Sequence, residues 1–323
     1  MSALDQAVDA LHAGRLVAFP TETVYGLGAD ATNARAVQRL FAVKGRPADH
    51  PVIAHVGDAA QLDDYAIDVP DVARRLAAAY WPGPLTLVVR RRPATIVDEV
   101  TGGRNTVGVR IPAHPLALAL LRAFGGAVAA PSANRFGRVS PTTAAHVRDD
   151  LGADVDVVLD GGPCAVGLES TIVDCTRGTL RLLRVGGITR EALEVLTGGP
   201  ISVTSAGEVA APGTLEHHYA PRATVELVAA VDVASRATAL AESAVRVAVL
   251  GLHADVASVT LASTDVHVLG APRDVDEYAR VLYERLRQAD DWRADVVLAV
   301  APADAGIGAA IADRLRRAAA SAR

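Results

Sequence analysis

Short apolar runs of four to six residues recur along the whole chain, each followed by an amphipathic stretch, and this alternation most limits the folds open to it. In the C-terminal third the runs are Val225–Val228, Val245–Leu250, Val256–Leu261, Val266–Leu269 and Val296–Val300. Runs without polar alternation suit strands buried on both faces, as in parallel sheets covered by helices. Helical periodicity at about 232–243, 274–289 and 306–319 supplies those covers. A small, Rossmann-like parallel α/β domain is expected from about residue 223.

The first 200 residues mix the same ingredients less regularly. Strands are expected at 16–19, 52–56, 85–89, 106–111, 127–130, 155–159, 171–175 and 180–185. Helices are expected at 2–13, from Asn33 through Lys44, at 72–80, 115–124, 141–151 and 189–196. Pro20 to Thr32 reads as one long loop. Gly198-Gly199-Pro200 ends this part, and residues 201–222 carry no period. The expected organisation is a domain over 1–200, a linker over 201–222 and a second domain over 223–323.

Composition excludes several classes. Half of the 323 residues are apolar, so disorder is ruled out. The net charge of −5 argues against a generally cationic nucleic-acid or membrane-surface protein. Any anion site must be local. Two cysteines, Cys164 and Cys175, exclude a disulfide framework and suit a reducing, cytoplasmic compartment. No signal peptide is visible, and the apolar stretch from Leu116 to Ala130 is too short and interrupted to span a bilayer.

Among the local motifs, Gly26-Leu27-Gly28 imitates a dinucleotide fingerprint, but no acidic residue ends a following strand at the required distance. There is no Walker A sequence and no HExxH, and the histidines lack metal-ligand spacing. His217-His218 reads equally well as a solvated pair. Ser132 lacks the Gly-x-Ser-x-Gly elbow of a hydrolase nucleophile, so Ser132 and Asn134 are expected to supply neutral hydrogen bonds.

Cations are the sharper signal. Of the 32 basic residues, all but one are arginine, and the exception is Lys44. A compact ammonium differs from a planar guanidinium in reach and geometry, so its survival points to chemistry that needs a point charge. Lys44 and Arg46 end a helix two residues apart, a spacing that can hold adjacent phosphates. The helix dipole also favours cations there. Arg110 lies in a strand of otherwise apolar alternation and needs an anionic partner, either a protein carboxylate or a ligand. Arg184 ends a strand before Gly186-Gly187. Thr21, Glu22 and Thr23, with Gly167 to Thr171, place hydroxyls at strand mouths.

Taken together, Phe19-Pro-Thr-Glu-Thr-Val-Tyr-Gly-Leu-Gly28, Lys44-Gly-Arg-Pro47, Pro131-Ser-Ala-Asn134, Ser140-Pro-Thr-Thr143, Glu169-Ser-Thr-Ile-Val-Asp174 and Arg184-Val-Gly-Gly187 resemble one family closely. It is the YrdC-like domain of the threonylcarbamoyl-adenylate synthases. Pro212-Gly213 and His218-Tyr-Ala-Pro221, followed by a small α/β tail, resemble the long two-domain form. The motifs run in order over about residues 10–221.

The resemblance implies a twisted mixed sheet with helices. It also implies a nucleotidyltransferase making threonylcarbamoyl-AMP and pyrophosphate from ATP, L-threonine and bicarbonate or carbon dioxide. The product would pass to the machinery that installs threonylcarbamoyladenosine in tRNA, with weak or no direct tRNA binding by this chain. Carried over position by position, Thr23, His55, Arg110, Ser170 and the backbone of Ala130 would hold threonine. Lys44, Arg46, His50, Thr106, Ser132, Asn134, Ser140 and Arg184 would hold ATP, with Lys44 and Arg46 catalytic. Mg²⁺ would arrive on the ATP phosphates, with no ligand from protein side chains. His218 and Tyr219 would belong to a lid.

The chain departs from the family pattern at His50, where Asn is common, at Pro131, and at Leu215 and Glu216 in the linker. Three other readings compete. An RNA-binding module is opposed by the charge. A hydrogenase-maturation carbamoyltransferase would need acylphosphatase-like and zinc-finger segments that this sequence lacks. A dihydroxybutanone-phosphate synthase would need a paired-carboxylate metal site that it also lacks.

Overall fold

The computed structural model describes residues 2–203, 219–259 and 264–321. Two compact units divide the described chain. The first comprises the residues up to Val203 except Gly137–Val139 and Val166–Leu168, and those two short segments group with the C-terminal unit.

The first unit is built on one mixed sheet. Its strands are β1 (Val17–Phe19), β2 (Gly26–Asp30), β3 (Ile53–His55), β4 (Ala66–Ile67), β5 (Leu85–Arg91), β6 (Thr106–Arg110), β7 (Val128–Ala129), β8 (Val157–Val158), β9 (Thr171–Asp174), β10 (Arg181–Arg184) and β11 (Ser202–Val203). The order is β11-β10-β9-β5-β6-β3-β7-β2-β1-β8, with β4 also on β5. Parallel pairs (β3 with β6, β5 with β9) alternate with antiparallel ones (β5 with β6, β2 with β7).

Strand alternation sends side chains into two cores. Val17, Phe19 and Val128 join Ala7, Leu11, Leu120 and Leu121 beneath helices α1 (Ala3–His12) and Pro115–Phe124. Ala18, Leu27, Ala29 and Ala129 point the other way, toward Val37, Leu40 and Phe41 of helix α2 (Ala34–Lys44) and Leu76 of the Asp71–Tyr80 helix. α1 begins with a reciprocal capping box between Ser2 and Asp5. α2 begins on the Asn33 side chain and stops at Gly45, whose φ of 64° suits a left-handed C-terminal turn.

The first unit differs from the sequence expectations at two places near the site loops, and β11 (Ser202–Val203) lies inside the expected linker 201–222. β2 occupies part of the expected 20–32 loop and pairs antiparallel with β1, Gly28 opposite Val17. A strand of Gly-Leu-Gly-Ala-Asp carries no β-branched signal, so tertiary fit decides it. A Cβ at Gly28 would lie 2.8 Å from Val128 Cγ1 and 2.9 Å from Phe19 Cε1, so only glycine fits there. The helix expected from Pro141 instead starts at Ala144, where the Thr143 side chain accepts from His146 N.

The C-terminal unit is a four-stranded, all-parallel sheet. Its strands are β12 (Thr224–Leu227), β13 (Val247–Leu250), β14 (Val266–Val268) and β15 (Val296–Ala299), in the order β12-β15-β13-β14. Val233 and Ala237 of helix Val233–Glu242 pack with Val247, Val249 and Leu298 in its core. Val256, expected to open a strand, ends the short helix His253–Val256, and residues 260–263 lie outside the described chain. No helix among the described residues is long and apolar enough to cross a membrane.

Candidate active site

Lys44 is the last residue of α2, and it is 2% exposed. Its Nζ donates to Ser132 O and to Asn134 O, both at 2.5 Å. Phe136 N donates back to Lys44 O at 2.8 Å, and Arg135 Nη1 donates to Val43 O. The 132–136 loop is therefore fastened to the end of α2 from both sides. Burial, then the neighbouring Arg46 charge, pushes the Lys44 ammonium well below the usual lysine range. That cost is lowered by any anion brought beside Nζ.

Arg46 is 8% exposed, donates from Nη2 to Pro51 O at 3.0 Å, and lies over the Phe136 ring at 5.7 Å. His50 tilts against the same ring, with centroids 6.0 Å apart. Burial and Arg46 lower the His50 pKa, and Asp49 opposes them. Asn134 is buried and its amide nitrogen donates to Arg135 O at 2.8 Å.

A second group surrounds Arg110 at the end of β6. Its Nη2 donates to Glu22 Oε1 at 2.7 Å and its Nε to Gly83 O at 3.2 Å. The other Glu22 oxygen accepts from Ala113 N at 2.9 Å. The anionic partner required by the sequence is therefore a protein carboxylate, and Nη1 of Arg110 is the nitrogen left over among the described residues. His55 faces Arg110 in the β3–β6 register, and its ring meets Phe19 edge-on. Burial, and then Arg110, pushes the His55 pKa down to about 3, so the imidazole is neutral near pH 7. Its Nδ1 is buried with no hydrogen-bond partner among the described residues. Thr23 is fully buried beside Thr21, with hydroxyls 2.7 Å apart.

A third group sits at the starts of β9 and the end of β10. Arg184 donates from Nε to Ser170 O and from Nη2 to Ser170 Oγ, both at 3.0 Å. Ser170 Oγ also meets Thr86 Oγ1 at 2.8 Å. Ser140 Oγ donates to Glu169 Oε1 at 2.7 Å. Ala130, on the strand side, donates its N–H to Ile53 O at 2.9 Å, and Thr106 pairs with Arg90 at the start of β6.

Backbone hydrogen bonds connect these groups. Leu27 N donates to Pro131 O and Ala133 N to Tyr25 O, tying the Ser132–Asn134 loop to β2. Gly83 N donates to Ile111 O and Thr171 N to Pro84 O, tying the Arg110 group to the Ser170 group. Tyr219 lies in the C-terminal unit, stacked on Tyr283 at 5.7 Å with the Arg314 guanidinium 5.3 Å from its ring. His218 lies outside the described residues.

Four residues escaped the sequence reading as site components. Glu22 and Glu169 were visible only as polar residues at strand mouths, and the partners that define them lie 88 and 29 residues away. Thr86 hides in an apolar strand, and Phe136 in a loop. Among the described residues of the first unit the buried cations are Lys44, Arg46, Arg110 and Arg184, against three buried carboxylates, one of which, Asp174, is taken by Arg181 at 2.5 Å. A buried cation excess of this kind is stabilised by an anionic ligand. Among the described residues no group of three or more His, Cys, Asp or Glu could hold a metal ion.

Fold and site define a YrdC-like mixed-sheet domain coupled in one chain to a small parallel α/β domain. The family model described as "Telomere recombination", covering the Sua5, YciO and YrdC proteins, matches residues 9–186. A second model, "Threonylcarbamoyl-AMP synthase, C-terminal domain", matches residues 188–320. The threonylcarbamoyl-AMP synthase of Bacillus subtilis is 40% identical over 321 residues, covering 97% of this chain and 92% of that protein. The same-named protein of Pyrococcus abyssi is 40% identical over 316 residues, covering 94% and 90%. The crystal structure of P. abyssi Sua5 complexed with L-threonine superposes with a TM-score of 0.91 at 39% identity, covering 99% of this chain and 94% of that one.

The chain belongs to the threonylcarbamoyl-AMP synthase family, in its two-domain form. It is an enzyme, and its reaction is of the nucleotidyl-transfer type.

Proposed function

We propose that this enzyme joins L-threonine, bicarbonate or carbon dioxide, and ATP into threonylcarbamoyl-AMP, releasing pyrophosphate. The observation that carries the reading is the excess of buried cations around a set of neutral hydroxyls and amides. Such a set stabilises anions and lacks the strong base and nucleophile of a hydrolytic triad. Lys44, Arg46, His50, Thr106, Ser132, Asn134, Ser140 and Arg184 are assigned to ATP. Thr23, His55, Arg110, Ser170 and the Ala130 backbone are assigned to threonine.

The neutral threonine amine adds to the carbon of carbon dioxide and gives up one proton to solvent, leaving a carbamate; when bicarbonate is the source, one water is released instead. A carbamate oxygen then attacks the α-phosphorus in line, and pyrophosphate departs. Lys44 and Arg46 oppose the charge that grows on the phosphates, and Arg110 clamps the amino-acid carboxylate through its remaining Nη1. The neutral His55 adds no charge to compete with that clamp. Mg²⁺ fits as an ion carried on the ATP phosphates, because Glu22 and Glu169 already serve Arg110 and Ser140. When bound it would neutralise phosphate charge.

The domains are assigned as catalytic over 1–200, linker and lid over 201–222 with His218 and Tyr219, and accessory over 223–323. A carbamate and its mixed anhydride both decompose in water, so the linker is assigned the closing of the site. The product is consumed by a transferase acting on tRNA, and the acidic net charge keeps direct tRNA binding weak. The enzyme is assigned to the cytoplasm, where the two buried free thiols stay reduced.

Pyrophosphate release tests the assignment. It should require ATP, threonine and bicarbonate together, and glycine should compete poorly with threonine. Release from ATP alone at the full rate would refute it.

A further inference from the structure

We infer that Thr21 and Thr86 are positioning residues that fix the hydrogen-bond polarity of Thr23 and Ser170, so that the amino-acid pocket offers an acceptor to the substrate N–H and a donor to a substrate oxygen. This rests on the threonine reading above and adds two residues that have no role in it.

The first polarity follows from counting protons. Thr21 Oγ1 lies 2.7 Å from Val24 O, and a carbonyl brings no hydrogen, so the Thr21 proton occupies that contact. The 2.7 Å contact between Thr21 and Thr23 also needs a proton, and only the Thr23 proton remains. Thr23 therefore donates to Thr21 and keeps only lone pairs to offer. Thr21 is held in this orientation, because Thr23 N at 3.1 Å and Val24 N at 3.2 Å share its second lone pair as a three-centre contact. All three groups are buried, where an unmade hydrogen bond is costly.

The second polarity is the reverse. Ser170 Oγ accepts from Arg184 Nη2, and its other protein contact is Thr86. Thr86 is fully buried in β5 and, among the described residues, has Ser170 as its one side-chain hydrogen-bond partner. Two hydroxyl protons thus share one contact. With a ligand acceptor present, both are satisfied only if Thr86 donates to Ser170 and Ser170 donates onward. The reverse order strands the Thr86 proton inside the sheet.

The substrate chemistry matches this pair. The nitrogen of threonine offers N–H donors before and after carboxylation, whereas its carboxylate and carbamate oxygens accept. A fixed acceptor on one N–H also aims the nitrogen lone pair away from Thr23. A 2-hydroxy acid has no such requirement, because a hydroxyl both donates and accepts.

The test uses the full chain carrying Thr21→Val, Thr21→Ser, Thr86→Val or Thr86→Ser. Michaelis constants for threonine and ATP are measured, with binding competition by 2,3-dihydroxybutanoate. Thr21→Val should weaken threonine about tenfold, the scale of one lost buried hydrogen bond. It should weaken the hydroxy acid by less than about threefold, since that ligand adapts. Thr86→Val, a near-isosteric change within β5, should raise the threonine constant about tenfold. The ATP constants should stay within about twofold, and both serine variants should restore threonine binding.

Equal losses for threonine, hydroxy acid and ATP would reveal a merely structural role and overturn the inference, as would unchanged threonine constants. Should Thr21→Val fail to fold, the Thr86 pair decides by the same criteria. Absence of threonine binding by the unsubstituted enzyme would instead refute the reading beneath it.

Discussion

Replacing Lys44 by alanine should lower pyrophosphate release by roughly two to three orders of magnitude, the usual loss when a preorganised charge partner of the transition state is removed. The fold should survive. Ser132 O and Asn134 O lose their Nζ donor, so the variant should melt lower than the parent. Lys44→Met, which keeps the apolar stem, should melt closer to the parent than the alanine variant does and yet be as inactive. Lys44→Arg is the sharper probe. Nζ fits between two carbonyl oxygens, each 2.5 Å away, and a planar guanidinium needs more room and a different approach. A loss of about tenfold or more is expected although the charge is kept. Full activity of Lys44→Arg would show that the single lysine has no special role.

Removing Arg110 should act on threonine and on stability together. Arg110→Ala leaves the Glu22 carboxylate buried with only Ala113 N beside it, which costs about 3–5 kcal/mol. The double variant Arg110→Met with Glu22→Gln removes that penalty and should melt close to the parent. Both should raise the threonine constant by roughly tenfold to a hundredfold, the worth of one or two charge-assisted hydrogen bonds. The ATP constant should change by less than about threefold. Equal effects on both substrates would place Arg110 outside the amino-acid pocket.

The residues that could be read from the sequence were those whose physics is local. Val247–Leu250 and Val296–Ala299 are continuous apolar runs, and both are strands of the buried parallel sheet. The Ser2 and Asn33 caps mark the starts of α1 and α2. β2 was not legible, because its glycines are demanded by Phe19 and Val128 packing above them. Val256 misled because an apolar run of that length suits a strand as well as a helix end.

The site shows the same division. A strand arginine announces its need for an anion, but nothing near residue 110 names Glu22. Thr86 resembles any β-branched residue in a strand until Ser170 is placed beside it. The lone lysine was conspicuous by composition, whereas the carbonyls that confine it become visible only when the 132–136 loop is folded onto α2.

The proposed reaction joins a carboxylated amino acid to an adenylate in the first unit. Incubation with ATP, L-threonine and carbon-13 bicarbonate, followed by mass spectrometry of the quenched mixture, tests it most directly. Threonylcarbamoyl-AMP carrying the bicarbonate label should form in step with pyrophosphate, and its yield should fall by roughly two to three orders of magnitude with Lys44→Ala. An unlabelled threonyl adenylate, or pyrophosphate without any labelled adenylate, would contradict it.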